Sequence, residues 1–179
     1  MRYGTQENIR VKKQIVDGLF SLLKKKAFTD ISVSDLIKES GVSRSSYYRN
    51  FYNKEEIIDF YFDNIRDSSE ITTVSSDDLV SFLDRPDMIT EAFTSLYQEK
   101  DNLILLLENR LGDYIYGLFN ERVMNIAGDM PAQSIDRYKL YFYSGAAYSF
   151  LVNWLKDGCI ESPEVMGKQF IMYLKNGIQ

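Results

Sequence analysis

From Ser43 to Asn50 the chain reads Ser-Arg-Ser-Ser-Tyr-Tyr-Arg-Asn, a stretch of hydroxyls, guanidinium groups, phenols and an amide with no carboxylate among them. Such groups bond phosphate oxygens and the edges of bases, and the lack of acid leaves a polyanion unrepelled. Ser43 is placed to cap a helix running through about Phe51. Just upstream, Val33 to Ser40 reads as a short helix capped by Ser32 or Thr29 and stopped by Gly41. Two short helices joined by Gly41-Val42 make a helix-turn-helix unit, whose second helix can enter a major groove.

Longer elements must hold that pair. From Asn8 to Lys26, Ile15, Val16, Leu19, Phe20, Leu22 and Leu23 recur at spacings of three, four and seven, the mark of an amphipathic helix. Lys24, Lys25 and Lys26 close it and read as a solvated terminus that suits the helix dipole. Asn53 can cap a further helix with Ile57, Ile58, Tyr61, Phe62 and Ile65 on its apolar face. The polar stretch 67–78 then marks a boundary. Helical patterns follow near 79–84, 87–99, 101–128 with a break about Gly112, 133–157 and 163–176, where Ser162-Pro163-Glu164 supplies a cap and a proline start. No period-2 pattern persists, so the expected fold is all-α. A DNA-facing domain is expected over 1–55 and a regulatory and dimerisation domain over 56–179, joined by a helix about 54–66.

Charge divides along the same line. Residues 1–55 hold eleven Lys and Arg against six Asp and Glu, a balance of +5; residues 56–179 hold ten against twenty, a balance of −10. An acidic body thus carries a basic head, which the overall charge of −5 conceals. The chain has no histidine, which removes the commonest general base and transition-metal ligand, and Cys159 has no second cysteine to pair with. No catalytic group, metal or cofactor is therefore expected. The longest aliphatic run, Leu103 to Leu107, falls well short of the roughly 20 residues of a membrane helix. With a charged start in place of a secretory signal, these features point to a soluble, cytoplasmic protein.

The run SVSDLIKESGVSRSSYYRNFYNKEEII, residues 32–58, resembles the DNA-binding signature of the tetracycline-repressor (TetR) family of transcriptional regulators. The resemblance covers about residues 8–60 and implies that Leu36, Val42, Tyr47 and Phe51 pack the small domain while Gly41 makes its turn. It implies that Arg44, Ser45, Ser46 and Arg49 face base edges and that Tyr48 and Lys54 hold phosphates. Ser32, Ser34, Ser43, Tyr47 and Asn50 complete the set of candidate DNA contacts. Two residues depart from the pattern: Ile37 stands where the family has a small alanine, and Ser40 replaces the alanine before the glycine. Ile37 would either push the helices apart or be accommodated by a nearby Gly and Ser. The implied function is a homodimeric repressor on a palindromic operator in double-stranded DNA, released by an effector in the C-terminal domain. A TetR-like activator, or a regulator answering to a protein partner, is the alternative.

In the C-terminal part, Phe93, Tyr97, Tyr114, Tyr141 and Tyr148 are candidates to line an effector pocket, although most such aromatics are ordinary core. Cys159 reads as a plain small residue. Gly145 and Ala146 allow a partner helix to come close, and Phe150, Met166, Phe170 and Tyr173 share spacings that fit a helical face. These six are the expected dimer contacts, formed by the last two long helices as the family resemblance implies.

Overall fold

The structure, a computed structural model, describes residues 2–67, 85–126 and 137–176. The helix expected over 79–84 and nearly all of the polar stretch 67–78 lie outside the described residues, as do the ends expected at 127–128 and 133–136. Nine α-helices are seen among the described residues, and no strand: α1 (Arg2–Leu23), α2 (Val33–Ser40), α3 (Arg44–Asn50), α4 (Glu55–Asp67), α5 (Pro86–Gln98), α6 (Lys100–Glu108), α7 (Gly112–Ile126), α8 (Arg137–Lys156) and α9 (Pro163–Asn176). A turn of 3-10 helix, Phe28–Asp30, lies between α1 and α2. The chain is all-α. It divides into two compact units, a head of Met1–Asn64 with Leu105–Asn109, and a body of Ile65–Ile104 with Arg110–Gln179.

In the head, the helical stripe of α1 is buried as its spacing requires, with Ile15, Leu19 and Leu23 almost wholly out of water. Leu36 of α2, Tyr47 of α3 and Ile57, Ile58 and Tyr61 of α4 share that core, and the rings of Phe20 and Tyr61 meet edge to face at 4.7 Å. Each such side chain contributes roughly 1.5–3 kcal/mol by leaving water. Because α4 gives up its apolar face here, the head continues to Asn64 where the sequence placed its limit at 55. Helix α1 crosses α2 at Gly18: a Cβ there would lie 3.0 Å from Ser40 Cβ and 3.1 Å from its backbone nitrogen. Small residues on both helices thus let them meet closely beside the half-buried Ile37.

The body is built around rings. Phe93 of α5 is buried and meets Trp154 of α8 at 5.5 Å, Phe170 of α9 at 5.7 Å and Phe150 of α8 at 6.2 Å between ring centroids. Helix α9 comes so close to α5 that a Cβ on Gly167 would sit 3.1 Å from Thr90 Oγ1 and 3.3 Å from its Cα. Just beyond α8, Gly158 and Cys159 are both left-handed, and the Cys159 amide donates back to Trp154 O at 2.9 Å. Burial pushes the Cys159 thiol up from its ordinary value, away from the reactive thiolate form.

Candidate nucleic-acid interface

The geometry of the interface begins with caps. Ser32 Oγ accepts from the Asp35 amide at 3.2 Å while Asp35 Oδ2 accepts from the Ser32 amide at 2.9 Å, a reciprocal capping box that starts α2. Lys26 Nζ lies 2.7 Å from the same carboxylate oxygen. Lys26 first, and then the Ser32 hydroxyl and amide, hold Asp35 well below the usual carboxylate range. Gly41, at φ 70°, ends α2 in the left-handed region and lets the chain turn at once into α3. Ser43 Oγ then accepts from the Ser46 amide at 3.1 Å and starts α3.

Tyr47 and Phe51 fasten α3 from behind, both buried. Tyr47, counted among the candidate DNA contacts, therefore has no side-chain surface to offer; burial, then the charges of Tyr48, Glu55 and Glu56, push its phenol up to about 12. With that face spent on the core, Ser43, Arg44, Ser45, Tyr48 and Arg49 stand exposed, and Ser46 and Asn50 half-buried. Arg44 Nη2 donates to Ser34 Oγ at 3.3 Å, and its guanidinium lies 5.9 Å from the Tyr48 ring centre. That contact links α2 to α3 on the exposed side. Ser32 and Ser43 keep exposed hydroxyls, but these already serve as caps. Asn50 Nδ2 is turned back to Ser46 O at 2.8 Å.

Lys54, expected to hold a phosphate, is committed elsewhere. Its Nζ donates to the carbonyls of Phe28 at 2.7 Å, Ile31 at 3.2 Å and Thr29 at 3.4 Å, and lies 4.4 Å from the centre of the Phe28 ring. An ammonium has three N–H groups, so this arrangement occupies all of them. Two members of the lysine run are also spent within the head: Lys26 on Asp35, and Lys25 on Glu39 at 2.8 Å, where Ser21 Oγ also donates to Glu39 Oε1. A residue the sequence did not single out is Tyr52, 85% exposed directly after the buried Phe51. Its amide donates to Glu56 Oε2 at 2.8 Å, and Asn53 Oδ1 caps α4 by accepting from the Glu56 amide at 2.9 Å. The signal was the burial of Phe51, which leaves its neighbour facing water.

In the body, the aromatic candidates do not form one group. Phe93 and Tyr97 both face Trp154, whereas Tyr148 joins Tyr116 at 5.0 Å and Phe119 at 6.0 Å on the α7–α8 seam and donates to Gly112 O at 2.6 Å. Tyr114 is half-buried on α7, and Tyr141 is exposed on α8 beside Tyr138. Of the residues expected at a dimer contact, Ala146 and Tyr173 are exposed, Gly145 half-buried near Tyr116, and Met166 buried. Phe150 and Phe170 are half-buried and pack on Phe93 within the body.

A capped helix-turn-helix that presents arginines, hydroxyls and a phenol from a basic head defines a DNA-binding regulator. Residues 15–59 match the family model described as bacterial regulatory proteins of the tetR family, and residues 84–176 match a transcriptional-regulator C-terminal region of the same family. The chain belongs to the TetR family of transcriptional regulators. It is similar to the HTH-type dhaKLM operon transcriptional activator DhaS of Lactococcus lactis subsp. lactis (strain IL1403), 31% identical over 72 residues. That match covers 40% of this chain and 37% of the relative. No helix among the described residues is long and apolar enough to cross a membrane.

Proposed function

We propose that the protein is a homodimeric repressor that grips a palindromic operator with α3 of each head and lets go when an effector binds the body. The observation that carries this reading is the division of α3: Tyr47 and Phe51 are buried, and Arg44, Ser45, Tyr48 and Arg49 project outward. On this reading Arg44, Arg49 and Ser45 read base edges, with Ser34 and Ser46 at the margin. Tyr48 and the exposed Tyr52 hold phosphates.

Dimerisation through the last two helices is supported by what they leave uncovered. Exposed on α8 are Tyr138, Tyr141, Phe142, Tyr143 and Ala146, with Tyr138, Phe142 and Ala146 at helical spacing on one side; on α9 Val165, Met172 and Tyr173 are exposed. Of the expected contacts, Ala146 and Tyr173 lie among these exposed residues, while Met166 is buried and Phe150 and Phe170 pack on Phe93 within the body. For the effector, the side of α7 and α8 that carries Asn120 and Ser144 is favoured: Asn120 Oδ1 and Ser144 Oγ are buried with no hydrogen-bond partner among the described residues, an arrangement that costs free energy unless something fills it.

Selection of bound sequences from random duplex DNA tests the central claim. A recovered palindrome with half-sites about one helical turn apart supports it, and the absence of any enriched sequence at low salt overturns it. The name of the DhaS relative favours a second reading, in which the chain activates transcription from the same kind of site. A reporter downstream of the recovered operator separates the two: deleting the gene raises output for a repressor and lowers it for an activator.

A further inference from the structure

The first turn of a helix leaves backbone N–H groups without partners, and a side chain just upstream normally serves them. The Phe28–Asp30 turn lacks that service, because its cap position is Ala27, which offers no side-chain acceptor. The Phe28 amide is met from 81 positions away, donating to Asn109 Oδ1 at 3.1 Å. Asn109 is itself fixed, its Nδ2 donating to Leu105 O at 2.9 Å. The next residue, Arg110, turns the chain away in the left-handed region at φ 62°. Asn109 thus behaves as a remote cap, and it belongs to the head although it lies far beyond the residues that match the family's DNA-binding model.

The other end of the same turn is held by Lys54. Three carbonyls, of Phe28, Thr29 and Ile31, point at one ammonium, and the Phe28 ring covers it. Without a donor among them, three converging carbonyl dipoles would repel and the turn would open. Immediately after Ile31 comes Ser32, the cap of α2, and Arg44 bridges from α3 to Ser34 on α2. The position of α3 therefore depends on a turn clamped at its amide end by Asn109 and at its carbonyl end by Lys54.

We propose that Lys54 and Asn109 are positioning residues for operator binding, which fix the turn from which α2 and α3 are set without touching DNA. The proposal rests on the reading that the head binds duplex DNA, and it removes from Lys54 the phosphate contact that its place in the family pattern implies. The two roles differ in salt dependence. A lysine on a phosphate releases a counterion, so its loss lowers the slope of log affinity against log salt by about 1. A lysine that only shapes the turn leaves the slope alone.

The test uses the full chain and the duplex recovered by selection, titrated across a series of salt concentrations. Lys54→Met and Asn109→Ala are each expected to weaken binding on the order of tenfold, equally for all sequences and with the salt slope of the unaltered protein. Asn109→Asp, which keeps an oxygen for the Phe28 amide but loses the donor to Leu105 O, should recover part of the loss. Amide exchange at Phe28 should speed up in Asn109→Ala and slow again in Asn109→Asp. Should Lys54→Met fail to fold, Lys54→Gln keeps an N–H donor while removing the charge, and is expected to bind with an unchanged slope. A slope reduced by about 1 in either Lys54 variant overturns the proposal, as does an Asn109→Ala protein with wild-type affinity and a protected Phe28 amide. If the unaltered protein bound no duplex, the DNA-binding reading would fail instead, while exchange at Phe28 would still report whether Asn109 holds the turn.

Discussion

In head and body alike two helices cross where a glycine lets their backbones approach, yet the two crossings are braced by different means. Around Gly18 and Ser40 the braces are polar and local: Ser21 and Lys25 on Glu39, Lys26 on Asp35, and the Ser32–Asp35 capping box. Around Gly167 and Thr90 they are rings, with Phe93 at the centre of Phe150, Trp154 and Phe170. Length explains the difference. At the head crossing α2 has only 8 residues, too few to be stable alone or to bury much apolar surface, so its ends need partners. At the body crossing α5 and α9 have 13 and 14, and are held by what they bury, Phe93 above all.

The contrast can be broken most severely in the body. Phe93→Ala should destabilise it by about 3–5 kcal/mol, read as a lowered melting transition by circular dichroism. A loss below about 1 kcal/mol would mean that the rings are not its main support. In the head the largest functional loss should come with little change in stability: Arg44→Ala and Arg49→Ala alter which base pairs are preferred by about 1–3 kcal/mol, whereas Tyr48→Phe weakens all sequences alike. Binding to a panel of single-base operator variants checks this division, and equal losses from all three would refute it.

The crossings themselves should respond unequally to one added methyl group. At Gly18 the new Cβ meets Ser40 Cβ, N and Cα at 3.0–3.2 Å, atoms that cannot move without the helix. Overpacking of about 1–3 kcal/mol then exceeds the roughly 1 kcal/mol that alanine adds to helix stability, so Gly18→Ala should lower the melting point. At Gly167 the new Cβ meets Thr90 Oγ1, Cα and N at 3.1–3.4 Å, a slightly looser fit, so Gly167→Ala should lower the melting point by less. Equal melting shifts would show that the two crossings are equally rigid.

Acid should produce the smallest effect, and only in the head. Hydrogen bonding from Lys26 and Ser32 depresses Asp35, and that from Lys25 and Ser21 depresses Glu39. A carboxylate whose folded value is depressed contributes stability that is fully present above its unfolded value, near 4, and is lost as pH falls through the folded one. The head's melting point should therefore decline below about pH 4. In Asp35→Asn that decline should be shallower, and an unchanged pH profile would show that Asp35 is not among the groups responsible.

What the sequence made legible was what is local. Ser32, Gly41 and Ser43 act on residues within four positions of themselves, so the boundaries of α2 and α3 could be read directly. A break was also legible near Gly112, but not its placement at Asn109–Leu111, since that depends on an amide 81 positions away. Lys54 could be recognised as a cation but not as the centre of a carbonyl cage, because its partners come from the turn before α2. On α8 and α9 the difficulty was abundance: with apolar residues on most sides, spacing alone could not say which face turned inward, and Met166, expected at a dimer contact, is buried within the body.

The sequence holds one tryptophan, Trp154, buried in the body with its indole nitrogen donating to Glu161 O at 3.1 Å. The head has none, and the emission of the chain's thirteen tyrosines can be left dark by exciting at the red edge of the absorption band. The molecule therefore carries a built-in optical probe that sees one of its two units. Emission from Trp154 should shift when the ring cluster loosens and stay still when only the head melts. Followed together with circular dichroism, which sees both, it would time the two events separately in one cuvette without a label.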